Sequence, residues 1–239
     1  MDAALAHAFD ATWPAPETCV IGGLTVGRGH GAGGRVSSAR ASGAWSDGDI
    51  DAAIACQTGW DQTPMFRVRD DDTALITALR SRGFAPQTPT TILQAPIAVL
   101  AEQPVPHLRV LDVWPPLAIQ RRIWEAAGIT PARQAVMEAV EGPRRAVLGR
   151  LDDRAAGVGF VAVAGEVAML HALHVVERFR RRGLGGWMVR HAAQWAGAQG
   201  ATRLAVAVSH ANSGARALYA GMGFAPAGDY AYYVRSDAE

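Results

Sequence analysis

The densest chemistry in this chain lies in one run: Val175-Val176-Glu177-Arg178-Phe179-Arg180-Arg181-Arg182-Gly183-Leu184-Gly185-Gly186. Glycine lets a backbone approach an anion closely, and arginine supplies charge-assisted donors. A strand entering such a segment and a helix leaving it complete an anion cradle. The first helical turn has unpaired N–H groups, and the helix dipole favours negative charge there. The flanks have the right pattern. Val167 to Val176 is apolar and strand-like, and Leu184 to Gln199 reads as a helix with Leu184, Met188, Ala192, Trp195 and Ala196 on one side. No Gly-Lys-Ser/Thr follows, so the run is not a P-loop. The first glycine of G-x-G-x-x-G is missing, so it is not the dinucleotide fingerprint.

The rest of the chain must position this cradle. Its 239 residues allow one large domain or two small ones, and 49% apolar residues are ample for a core. The 23 basic residues are all Arg and nearly cancel 22 acidic ones, so composition argues for neither a nucleic-acid nor an anionic-membrane partner. Without lysine there can be no lysine Schiff base or lysine general base. Cys19 and Cys56 form no close-spaced metal pair and are too few for a disulfide scaffold. The N-terminus holds Asp2 and Asp10 without a long apolar run, which does not read as a signal peptide, and no stretch reaches the length of a membrane span. The expectation is a cytoplasmic protein without a metal, monomeric or homodimeric.

The stretch Gln94 to His107, with Pro96, Pro104 and Pro106, reads as a linker. The expected division is therefore 1–96, a linker at 97–107, and 108–239. Before it, Thr18 to Val26 and Gly34 to Ala41 read as strands, with Gly27 to Gly34 as a hairpin connection. Asp49 to Thr58 reads as a helix, Met65 to Val68 as a strand, Asp72 to Arg82 as a helix closed by Gly83, and Thr90 to Leu93 as a strand. After it come a strand at Leu108 to Val113 and helices at Pro115 to Ala127 and Pro131 to Val140, each with proline in its first turn. Strands at Arg145 to Leu151 and Gly157 to Ala164 precede the cradle strand. Beyond the cradle helix lie a strand at Leu204 to Val208, a helix at Ser213 to Met222 closed by Gly223, and a strand at Tyr230 to Val234.

This order, with two motifs, resembles the GNAT superfamily of acyl-CoA-dependent N-acetyltransferases. The family's Q/R-x-x-G-x-G/A loop stands here as Arg180-Arg181-Arg182-Gly183-Leu184-Gly185. Its downstream N-x-x-A-x-x-L-Y-x-x-x-G-F pattern matches Asn212, Ala215, Leu218, Tyr219, Gly221, Gly223 and Phe224, with one residue of drift in the glycines. The resemblance covers Leu108 to Arg235. The front half looks like a degenerate copy: Asp72 through Gly83-Phe84 echoes Ser213 through Gly223-Phe224, but no R-x-x-G-x-G loop occurs there. The expected fold is α/β with a mixed sheet, two GNAT-like halves in tandem, the first one silent.

The resemblance implies a site. The main chain of Arg181 to Gly186 would hold the pyrophosphate of acetyl-CoA, with the side chains of Arg180, Arg181 and Arg182 adding charge or forming a solvated run. Leu173-His174-Val175-Val176 resembles the end of the splayed strand that pairs with pantetheine, so Leu173 and Val175 join Gly183, Leu184, Gly185 and Gly186 as cofactor-binding residues. A backbone N–H near Val175 would polarise the acetyl carbonyl. Asn212 would bond the pantetheine or loop, or cap its helix. Tyr219 is the general-acid candidate for the leaving sulfur, or else packs its helix on the sheet. For the base, Met169 stands where some relatives have Glu, which leaves His171 as the candidate and Glu166 behind it. Strand alternation puts Met169 and His171 on one face and His174 on the other. Trp124, Arg133, Tyr230 and Tyr232 are secondary candidates for an acceptor pocket, against plain core or surface roles.

The expected activity is transfer of acetyl from acetyl-CoA to a primary amine of a small molecule, amino acid or peptide. Three alternatives stand beside it: an enzyme of longer acyl-CoA, a non-catalytic acyl-CoA sensor, and a partner-binding protein with a vestigial loop.

Overall fold

A computed structural model describes residues 1–235. In chain order the elements are α1 (Ala3–Ala11), β1 (Glu17–Ile21), β2 (Leu24–Arg28), α2 (Gly34–Ser37), β3 (Ala39–Ala41), α3 (Asp47–Gly59), β4 (Met65–Arg69), α4 (Thr73–Arg80) and β5 (Phe84–Pro96). Then follow α5 (Ile97–Ala101), β6 (Val110–Val113), α6 (Ala118–Ala126), α7 (Pro131–Glu138), β7 (Arg144–Leu151), β8 (Arg154–Ala164) and β9 (Val167–Val175). After a 3-10 turn at Glu177–Phe179 come α8 (Leu184–Ala198), β10 (Arg203–Ser209), α9 (Ser213–Gly221) and β11 (Ala225–Arg235).

The chain packs as two compact units that do not follow sequence order. One holds Met1–Trp13, Ile92–Val208 and Asn212–Ala227; the other holds Pro14–Thr91, Ser209–Ala211 and the described residues from 228 on. The helix α1 therefore belongs with the later part of the sequence and most of β11 with the earlier part, a different partition from 1–96 and 108–239.

In the first unit the strand order is β5-β10-β9-β8-β7-β6, with β5 represented by Ile92–Pro96. The β7–β8 hairpin closes through Asp152-Asp153, both with positive φ (51° and 54°), the signature of a type I′ turn. β8 is buried on both faces through most of its length, because α8 covers one face and α1 and α6 the other. The stripe Leu184, Met188, Ala192 and Ala196 of α8 is buried against Val147, Val161, Leu170 and Leu204. Glycines set how closely α8 approaches. A Cβ at Gly149 would stand 2.7 Å from the Met188 sulfur and 3.0 Å from Leu184. A side-chain-free position on β7 thus lets the start of α8 settle onto the sheet.

The second unit has the order β1-β2-β3-β4-β11-β5, with α3 and α4 supplying Ile50, Ala53, Leu75 and Leu79 to a core that includes Leu24, Val26, Phe66 and Phe84. Here sequence reading was least accurate. Thr18 to Val26 is a hairpin, not one strand, because Gly22 takes φ 53° and turns the chain. Gly34 to Ala41 is a short helix followed by a three-residue strand, and the last strand runs from Phe84 to Pro96 instead of Thr90 to Leu93. In the first unit, the stretch expected as a linker contains α5, whose Ile97 and Leu100 join the core beneath α8.

Candidate acyl-CoA site

The site begins where two parallel strands part. β9 and β10 pair only through Arg203↔Val167, Leu204↔Ala168 and Ala205↔Met169. β9 runs on to Val175 while its other edge stays paired with β8 to Gly157. Beyond Met169, therefore, one edge of β9 is open to an extended ligand.

A bulge shapes that open stretch. His171 pairs with Phe160 and His174 with Val158, so β9 carries one residue more than β8 between these pairs. Ala172 takes φ 49°, the left-handed conformation usual for glycine at such a bulge. For a residue with a Cβ that conformation costs about 1–2 kcal/mol. The indole N–H of fully buried Trp124 donates to the Ala172 carbonyl at 3.0 Å. A net hydrogen bond of about 0.5–1.5 kcal/mol is the right size to offset that strain. The bulge also corrects the expectation from strict alternation. Ala168 and Leu170 pack under α8, and so do Leu173 and Val175, so the facing pattern shifts by one across Ala172. His171 and His174 consequently share the opposite face, His171 against α1 and His174 against α6.

The cradle follows. Arg180 N–H bonds the Glu177 carbonyl, and Trp187 N–H is the first of α8 to find a partner, Gly183 O at 3.2 Å. No hydrogen bond takes the N–H groups of Arg181 to Gly186 among the described residues. Gly183 caps α8 in the left-handed conformation (φ 82°) without a side-chain cap, and no acidic residue stands in the first turn. Arg181 is also left-handed, at φ 62°. A Cβ at Gly185 would meet Leu218 at 3.3 Å and Val175 at 3.9 Å, so that position lies against α9 and the end of β9. Open N–H groups and an uncapped helix start fit a pyrophosphate. Leu184 is a core residue, so only its main chain can serve a ligand.

The arginines divide in their roles. Arg182 makes a two-pronged pair with Asp152 of the β7–β8 turn, at 2.8 and 2.9 Å. Its guanidinium holds the Asp152 carboxyl below the usual range and is itself raised. Arg182 thus tethers the loop, and sequence reading missed Asp152 because the turn lies 30 residues upstream. Arg180 Nε donates to the Val175 carbonyl at 3.0 Å, tying the loop to the strand end.

Tyr219 is buried against Phe224, ring centroids 5.1 Å apart, and burial pushes its phenol well above the ordinary value. A phenol so raised stays protonated at neutral pH. No hydrogen bond engages its hydroxyl among the described residues. Asn212 Oδ1 caps α9 by accepting from Ala215 N–H at 3.0 Å.

His171 lies in a buried aromatic setting, 5.1 Å from the Trp13 ring and stacked on Phe160 at 6.1 Å. Thr12 Oγ1 donates to the Ala8 carbonyl at 2.6 Å and lies 2.9 Å from His171 Nε2. With its proton on Ala8, that oxygen accepts from His171, so Nε2 carries the ring proton. Any proton-accepting role then falls to Nδ1. Thr12 and Trp13 follow directly on the end of α1, a helix that sequence reading missed although Asp2 caps it and Leu5, Ala8, Phe9 and Thr12 have helical spacing. His174 is half-buried beside a groove of about 510 Å³ lined by Ile119, Arg122, Ile123 and Arg178; burial, then Arg180, pushes its imidazole pKa down. Met169 is fully buried, and Glu166 pairs with Arg203 at 2.8 Å. Of the secondary candidates, Trp124 serves the bulge, Arg133 lies on α7, and Tyr230 and Tyr232 stack edge-to-face on β11.

Among the described residues no group of three His, Cys, Asp or Glu could hold a metal, and no helix is long and apolar enough to cross a membrane. The acetyltransferase (GNAT) family model matches residues 113–224. No curated protein matches the sequence. Among solved structures, a GCN5-related N-acetyltransferase from Kribbella flavida superposes with a TM-score of 0.72 at 18% identity, covering 98% of this chain and 94% of its own. A conserved protein of unknown function from Staphylococcus epidermidis gives 0.68 at 10% identity, covering 93% and 94%. A tandem GNAT protein from the clavulanic acid biosynthesis pathway gives 0.65 at 14% identity, covering 97% and 87%, and supports the two-half arrangement. Residues 113–224 therefore match the acetyltransferase (GNAT) family, in a chain whose α/β fold is that of the GCN5-related N-acetyltransferases.

Proposed function

We propose that this chain is an N-acetyltransferase that binds one acetyl-CoA and passes the acetyl group directly to a primary amine of a small molecule, amino acid or peptide. The observation that carries this reading is the row of unengaged N–H groups from Arg181 to Gly186 at an uncapped helix start, beside a β9 edge left open past Met169.

Acetyl-CoA supplies the activated thioester. The chain's own residues supply the rest. Arg181 to Gly186 hold the pyrophosphate through main-chain donors, and Gly183, Leu184, Gly185 and Gly186 form the first helical turn that faces it. Leu173 and Val175 offer main-chain groups along the open edge, where an N–H directed at the carbonyl favours developing negative charge. Tyr219, whose phenol carries its proton at neutral pH, donates to the departing sulfur. The amine must lose a proton; His171 is the proposed acceptor, through Nδ1, since Nε2 is committed to Thr12. Asn212 holds the start of α9 and with it the position of Tyr219. The open Tyr219 hydroxyl favours catalysis over a sensor that binds without turnover.

Calorimetry with acetyl-CoA on Gly185→Glu tests the reading. A carboxylate at the cradle sets like charges together at a cost of several kcal/mol, so affinity should fall on the order of 100-fold or more. Unchanged affinity in a folded variant would remove the central claim. Release of free thiol in a screen of amines then identifies the acceptor.

A further inference from the structure

We propose that Trp124 is a positioning residue for acyl transfer: by fixing the Ala172 carbonyl from α6, its indole sets the direction of the Leu173 N–H on the open stretch of β9. The proposal rests on the reading of that stretch as the acyl-CoA site.

The Ala172 carbonyl and the Leu173 N–H belong to one planar trans peptide, so they point in opposite directions and turn together. Trp124 N–H donates to that carbonyl at 3.0 Å, and the indole is fully buried. Turning the carbonyl toward α6 turns the Leu173 N–H away from it. The register with β8 does not set this direction, because between the His171↔Phe160 and His174↔Val158 pairs Ala172 has no partner of its own. β10 cannot do it either, since its pairing with β9 ends at Met169. Ala172 meanwhile holds φ 49° without being glycine, a conformation that persists only where the surroundings over-determine it. A helix-borne donor aimed at one carbonyl is such a determinant. Simple core packing would be met by any large apolar side chain, whereas a directed hydrogen bond needs the indole.

The experiment uses the full chain, Trp124→Phe, and acetyl-CoA labelled with ¹³C at the thioester carbonyl. Phenylalanine keeps an aromatic ring but removes the donor together with the five-membered ring, so thermal unfolding of the variant measures the packing loss separately. Calorimetry reads affinity, and isotope-edited infrared spectroscopy reads polarisation of the bound carbonyl. In the wild type the carbonyl band should move to lower frequency on binding. In Trp124→Phe the affinity should stay within about threefold while the shift falls by half or more. With an amine found by thiol release, kcat should drop on the order of 10- to 100-fold with KM for acetyl-CoA nearly unchanged, as expected when a reacting group is slightly misplaced. A full shift and full kcat in folded Trp124→Phe would overturn the positioning role while leaving acyl-CoA binding intact. A wild type that neither binds acetyl-CoA nor shifts its carbonyl overturns the site reading and this proposal with it. Should Trp124→Phe fail to fold, the double variant Trp124→Phe/Ala172→Gly supplies the folded protein, because glycine takes the left-handed conformation freely. The same two outcomes are then read from the difference between this double variant and Ala172→Gly alone, which keeps the indole donor.

Discussion

The two units each contain a helix that crosses between parallel strands, and the two helices begin in opposite ways. α3 lies between β3 and β4, α8 between β9 and β10. At α3 the chain satisfies itself. Ser46 Oγ accepts from Asp49 N–H at 3.3 Å, and the Asp49 carboxylate accepts from Ser46 N–H at 2.9 Å. Asp47 and Asp49 make the first turn acidic. At α8 glycine occupies the cap, no side chain bonds the first turn, and no acid stands there. Both helices have the same dipole, so side chains alone decide which end admits an anion. The contrast recurs one element later. Asp72 and Asn212 cap α4 and α9 with nearly the same backbone (φ/ψ −89°/70° and −86°/73°), and Gly83 and Gly223 close them at φ 80° and 81° before Phe84 and Phe224. The spacing puts fully buried Leu79 where the other helix has Tyr219. The pair of capped helices is repeated; an uncapped glycine start and a tyrosine at the seventh position from the cap occur, among the four helices compared, only at α8 and α9.

The largest expected effect lies at that second difference. Tyr219→Phe makes α9 resemble α4 in chemistry while keeping the ring against Phe224. If the phenol protonates the leaving thiolate, kcat should fall on the order of 10²–10⁴-fold, with acetyl-CoA affinity nearly unchanged. Turnover at the wild-type rate across the pH range would reduce Tyr219 to the packing role that Leu79 has.

A smaller effect should follow from giving α8 the acidic first turn of α3. Counting from each cap, Gly186 corresponds to Asp49. Gly186→Asp should weaken acetyl-CoA binding about 10- to 100-fold through like-charge repulsion. In the same titration the wild type should bind one CoA per chain. A stoichiometry of two would mean that the α3 end binds despite its carboxylates, and the comparison would lose its meaning.

How much of this was legible in the sequence depended on whether a signal was local. The cradle was visible because the glycines, arginines and amphipathic helix lie within about twenty-five consecutive residues, and α8 starts at Leu184 as its periodicity predicts. β7, β8 and β10 were found within a few residues because apolar runs bounded by turns mark them. The bulge was not legible. Ala172 is an ordinary residue for a strand, and only pairing with β8 and the donor from Trp124 make it left-handed. That single inserted residue moved His174 to the face of His171. Nor could sequence show that Arg182 would be bound to Asp152, or that Thr12, at the end of α1, would meet His171. These are contacts across 30 and 159 residues, set by topology.

The smallest prediction concerns acid. The Asp49 carboxyl is held below its ordinary pKa chiefly by the Ser46 N–H; desolvation opposes this, and the Gly23 N–H and the Ser46 hydroxyl add smaller lowering contributions. A carboxyl depressed in the folded state stabilises it fully above the unfolded value of about 3.9, and that contribution is lost as pH falls through the lower folded value. The start of α3 should therefore loosen on acidification below about pH 4, whereas the start of α8, with no acid in its first turn, should not respond there. Hydrogen exchange, corrected for the intrinsic effect of pH, can follow the Asp49 and Ile50 amides beside that of Trp187. Asp49→Asn should remove the pH dependence at α3 and leave α8 as it was. Loss of protection at both helix starts over the same pH window, in the variant as in the wild type, would mean that acid acts on the fold as a whole and that the carboxylates at α3 do not distinguish the two ends.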